Sequence, residues 1–73
     1  MSQHPKRNRN AAYVHHDVEE EIWHVALVGD TAFEVARELN LLEKRFKLKT
    51  REDAYIIAQA INTILVRHKV YQE

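Results

Sequence analysis

The chain has 73 residues, no cysteine, one glycine and one proline, with 45% apolar and 30% charged residues. That length allows one domain with a single small core, and the lack of cysteine excludes disulfides and thiolate metal sites. Eleven basic and eleven acidic residues cancel, which excludes a global field that would steer a polyanion.

So little glycine and proline leaves few residues for the turns of an all-β fold. The expected fold is all-α, a compact three-helix bundle. A core this small contributes only about 3–5 kcal/mol, so the bundle is expected to be completed by homodimerisation. Residues 1–10 (MSQHPKRNRN) are polar and carry Lys6, Arg7 and Arg9. They read as a flexible basic arm, and residues 11–73 as a single helical domain. The first ten residues lack the apolar stretch of a secretory signal. No apolar run approaches the ~20 residues that span a bilayer. No membrane partner is expected, and the cytoplasm is the default location.

The first element runs from about Ala11 or Asp17 to Val28. Val14, Val18, Ile22 and Val25 recur at helical steps. Asp17 with Glu20 three residues on reads as a capping box, which starts the helix at residue 18. Alternatively Asn10 caps a longer helix, so residues 11–16 stay open between helix, strand and coil. Trp23 and Leu27 lie opposite the valine stripe, which makes this helix apolar on two sides. Gly29-Asp30 ends it.

The second helix is expected over about Thr31–Lys47. Ala32, Val35, Ala36, Leu39, Leu42 and Phe46 form its stripe, and Lys and Arg crowd its last turn. Leu48-Lys49-Thr50 is a link, with Thr50 as N-cap and Asp53 reaching back. The third helix is expected over about Arg51–Val70. Ala54, Ile57, Ala58, Ala60, Ile61, Ile64, Leu65 and His68 fill an arc of roughly 160°, against the ~100° that a surface helix needs. Ile56 and Val66 widen it, so this helix is expected to pack on more than one neighbour.

Few residues point to chemistry. The five histidines are His4, His15, His16, His24 and His68. On a helix, His16, Glu20 and His24 would share one face, and Glu21-x-x-His24 matches the Glu-x-x-His unit of di-iron bundles. The facing stripes offer apolar side chains rather than the further carboxylates such a centre needs. No metal and no cofactor are therefore expected. Ser2 is the only serine, and no glycine-rich loop could cradle a phosphate. The chain is expected not to be an enzyme.

Two functional readings follow. The first is a small interaction or regulatory protein that acts through helix-mediated contacts with another protein or with itself. Its interface would draw on Trp23, Leu27, Ile56, Ala60 and Ile64, because Trp is enriched at such surfaces and an uncovered apolar stripe promotes aggregation. The second is a dimeric nucleic-acid-binding transcriptional regulator. Lys6, Arg7 and Arg9 of the arm, with Lys44, Arg45, Lys47, Lys49 and Arg51, would form its phosphate footprint. Thr31–Leu41 (TAFEVARELNL) resembles the first helix of helix-turn-helix motifs, although the glycine-containing turn that should follow is missing. A ribbon-helix-helix arrangement would instead pair Ala11–His16 as a strand across a dimer, with helices over 17–28 and 31–47. The two readings divide on whether the cations form a continuous patch or are neutralised by Glu38, Glu43, Glu52 and Asp53.

Overall fold

The computed structural model describes residues 10–67. Two strands, β1 (Ala11–Asp17) and β2 (Ile22–Val28), are followed by two helices, α1 (Asp30–Glu38) and α2 (Arg51–Arg67). The fold is α+β, and the expected all-α helical bundle is overturned at its first element. Residues 11–28 form an antiparallel hairpin, in which Ala11 faces Val28 and Asp17 faces Ile22. Their content explains this. Tyr13, Val14, Ile22, Trp23, Val25 and Val28 are β-branched or aromatic, and such side chains fit a pleated, half-buried surface.

The helical steps of Val14, Val18, Ile22 and Val25 were accidental to that hairpin. Val18 sits in the turn, 73% exposed. Asp17 does cap, but what it caps is one isolated turn. Its carboxylate accepts the N–H groups of Glu19 and Glu20 at 3.2 and 3.3 Å, and its carbonyl accepts that of Glu21 at 2.8 Å. Glu21 then adopts φ 58. That left-handed residue reverses the chain and stops the helix after a single turn.

The second helix is also shorter than its periodicity suggests. It stops at Glu38, and Asn40 takes φ 61. Leu41 donates to the Ala36 carbonyl at 2.8 Å and Asn40 to that of Arg37 at 3.0 Å, the paired bonds of a Schellman ending. Asn is the non-glycine residue that most readily accepts this conformation. Leu39, Leu41 and Leu42 still reach the core, but from a loop.

That loop adds a partial third strand. Trp23 and Leu48 exchange both backbone hydrogen bonds at 2.8 Å, while the Val25 N–H goes to the Arg45 carbonyl at 2.9 Å. A regular ladder would have taken it to residue 46. The one-residue excess is a bulge, and Lys47 at φ 58 absorbs it. β2 is therefore central, with β1 on one side and residues 45–48 on the other.

The third helix stands as expected where it is described. Thr50 accepts the Asp53 N–H through its hydroxyl at 3.1 Å. The expected stretch from His68 to Val70 lies outside the described residues. Ala54, Ala58, Ile61 and Leu65 of α2 are buried against Ala12 and Val25 of the hairpin and Ala32, Val35 and Ala36 of α1. Small alanines at these places let helix and sheet approach closely. Among described helices, none is long and apolar enough to cross a membrane.

Candidate functional site

The hydrogen-bond directions of the hairpin define its edges. In an antiparallel pair, successive residues turn their backbone groups alternately toward and away from the partner. Trp23 and Val25 bond outward to residues 45–48, so Ile22, His24, Ala26 and Val28 bond to β1. Their partners Asp17, His15, Tyr13 and Ala11 are then the β1 residues that bond inward. Ala12, Val14 and His16 present their N–H and C=O groups to the outer edge.

Asn62 of α2 closes one of those three positions. Its side-chain oxygen accepts the Ala12 N–H at 2.9 Å and its amide donates to the Ala12 carbonyl at 3.0 Å. A side-chain amide carries the donor and acceptor of a peptide group, so Asn62 acts as a one-residue strand partner. Among the described residues, nothing closes Val14 or His16 in the same way.

A groove of about 520 Å³ borders this edge. Its floor and walls include Tyr13 and Val14 from β1 and Arg51, Tyr55, Gln59 and Val66 from α2. Tyr55 and Val66 are both more than half exposed. α2 starts beside Leu48 at the Trp23 end of the sheet and reaches the Ala12 edge at Asn62. It therefore crosses the sheet diagonally, which leaves the edge clear near Val14 and His16.

The outward face of the sheet carries a row of rings. His15 and His24 are cross-strand neighbours with centroids 4.7 Å apart, and Phe46 lies 6.4 Å beyond His24. His16 is on the opposite face, stacked on Trp23 at 4.0 Å. His16 and His24 thus do not share a face, and Glu20 is in the turn. Among the described residues, no three His, Asp or Glu side chains converge as metal ligands would.

Of the residues singled out for a protein interface, Ile56, Ala60 and Ile64 follow one flank of α2 at successive turns, while Trp23 and Leu27 belong to β2. Trp23, Leu27 and Ile64 are partly buried and pack against the core, and Ala60 is half-buried. Ile56 is 64% exposed, on the side of α2 opposite its buried residues. The proposed cations are also divided. Lys6, Arg7 and Arg9 lie outside the described residues. Arg45 is turned inward, with its guanidinium 4.3 Å from the Phe46 ring and 5.5 Å from that of Phe33. It donates to the Val25 carbonyl at 3.0 Å. Burial lowers its pKa, although a guanidinium stays charged throughout the physiological range. Lys44, Lys47, Lys49 and Arg51 are exposed. Lys44 sits in a depression with Glu43 and Arg37, while Arg51 belongs to the groove.

Helix-based reading of the sequence missed the open edge of β1, since an edge exists only once a strand is recognised. The signal present was the run Ala11–His16, which the ribbon-helix-helix alternative already read as a strand.

No protein family, no curated protein and no solved structure matches this chain.

Proposed function

We propose that this chain is a small interaction module that acts by binding, and that it takes an extended polypeptide segment along the outer edge of β1. The observation that supports this most is the pair of open backbone positions at Val14 and His16 beside the groove against α2. An added strand would gain main-chain hydrogen bonds from those positions, and its alternate side chains would enter the groove. The exposed flank at Tyr55 and Val66 supplies apolar surface for them. Proteins normally protect such an edge with a bulge, a proline or charges. Among the described residues, Asn62 closes one position of this edge, and no other side chain closes Val14 or His16.

The nucleic-acid reading is weaker on this arrangement. Arg45 is committed to two rings and a carbonyl, and Arg51 faces the groove. The test is an amide chemical-shift titration with two probes. A blocked peptide of alternating Thr and Val is expected to move the Val14 and His16 amides most. Duplex DNA at low salt is expected to leave them unmoved. Salt-dependent shifts confined to Lys44, Lys47 and Lys49 with DNA, and none with peptide, would reverse the assignment.

A further inference from the structure

We infer that the segment taken up by β1 is β1 of a second copy, paired antiparallel about a twofold axis at His15. This rests on the strand-edge reading above and names its partner.

The choice of partner follows from charge. The hairpin turn at one end of β1 carries Asp17, Glu19, Glu20 and Glu21. At the other end lies Arg67, because α2 runs opposite to β1 and continues past Asn62, which is tied to Ala12. An antiparallel pair of β1 strands sets the acidic turn of each copy toward Arg67 of the other, twice. A parallel pair would set like charge on like.

Asn62 selects the register. Self-pairing centred on Val14 would need the Ala12 backbone to bond to His16 of the other copy, and Asn62 already holds the Ala12 groups. Centring on His16 would need Val18, which lies in the turn. Centring on His15 uses the two open positions and nothing else. Val14 of each copy exchanges both backbone bonds with His16 of the other. His15 then faces its own symmetry mate as a non-hydrogen-bonded pair, the closer kind of cross-strand neighbour. The twofold axis is perpendicular to the sheet, so both α2 helices stay on one face and run antiparallel. Tyr55 and Val66, on the flank beside the edge, are the apolar residues that the second copy covers.

The chain has no cysteine, so a single introduced thiol reports the register. His15→Cys is expected to form a disulfide-linked dimer in oxidised glutathione, since opposed cysteines at a close cross-strand pair meet disulfide geometry. Tyr13→Cys, which this register places opposite Asp17, is expected to react more slowly by on the order of tenfold. The unmodified chain is expected to sediment at twice its single-chain mass. Val14→Pro is expected to return it to one chain, because it removes an outward N–H and leaves the β2 ladder intact, whereas Val14→Ala, which gives up the same packing against the core but keeps that N–H, is expected to stay paired. Equal oxidation rates at positions 13 and 15 would overturn the inference, as would a dimer that survives Val14→Pro. A single-chain mass at millimolar concentration would also overturn it. If the Thr/Val peptide still shifts Val14 and His16 in that last case, the edge binds a foreign strand and only the choice of partner fails.

Discussion

The side-chain amide of Asn62 holds both backbone groups of Ala12, fifty positions earlier in the chain, at 2.9 and 3.0 Å. This one contact fixes where α2 meets the hairpin and which part of the strand edge remains available. Asn62→Leu keeps the bulk and removes both bonds, leaving the part-buried Ala12 groups unpaired. The expected loss is about 1–3 kcal/mol, read from the urea midpoint. Asn62→Asp retains an acceptor for the Ala12 N–H and should lose less than the leucine variant. A leucine variant as stable as the parent would show that the contact does not hold α2 in place.

Asn10 plays a comparable part at the other helix. It is buried, and its side-chain oxygen accepts the Thr31 N–H at 3.1 Å. Gly29, at the N-cap position, has no side chain to do so. Asn10→Ala should cost about 0.5–2 kcal/mol, in the range of cap removals. Faster amide exchange at Thr31 than at Ala58 would localise the effect.

Two exposed turn residues hold left-handed backbone without being glycine, Glu21 at φ 58 and Lys47 at φ 58. Glycine relieves the Cβ contact, and part of that gain is returned as unfolded-state entropy. Glu21→Gly and Lys47→Gly are each expected to raise stability by on the order of 0.5 kcal/mol. A fall in melting temperature for both would contradict the turn geometry.

Arg45 and Lys49 were equivalent members of one cationic cluster when read from sequence, and the fold separates them. Arg45→Met forfeits the ring contacts and the bond to Val25, with an expected loss of about 1–2 kcal/mol. Lys49→Met, at an exposed site, should stay within about 0.5 kcal/mol of the parent. Thermal unfolding of the two variants side by side distinguishes a structural cation from a surface one.

The same contrast holds within α2. Ile61 is fully buried, and Ile61→Ala should cost about 2–5 kcal/mol, enough to unfold a domain of this size. Ile56→Ala, on the solvent side, should be nearly neutral. Circular dichroism at room temperature suffices to separate the two.

What could be read directly from the residues was the part governed by local chemistry. Thr50 with Asp53 announced the start of α2, and the spacing of Ala54, Ala58, Ile61 and Leu65 announced its buried face. The hairpin was hidden for a physical reason. Trp23, Val25 and Leu27 face the core, but His24 and Ala26 on the other face are half-buried too. β2 thus lacks the alternation of a one-sided strand, and its valines fell into helical steps through a turn residue. Asn40 ended α1 against a periodic run of leucines, since a loop can also deliver leucines to a core. The basic cluster was visible as charge, but its division depended on where Phe33 and Phe46 lie. The candidate edge depended on Asn62 meeting Ala12, a pairing across most of the chain that no local pattern announces.

That long reach also sets an order of events during synthesis. The hairpin is complete once residue 28 has been joined, whereas the amide that shields Ala12 belongs to Asn62, 34 residues further on. At about 5–20 residues per second the delay is roughly 2–7 s. Throughout that interval the whole outer margin of β1 is unguarded, and successive ribosomes on one messenger carry identical hairpins close together. The self-pairing inferred above would therefore have its first opportunity before α2 exists, while the Ala12 groups still lack the Asn62 amide.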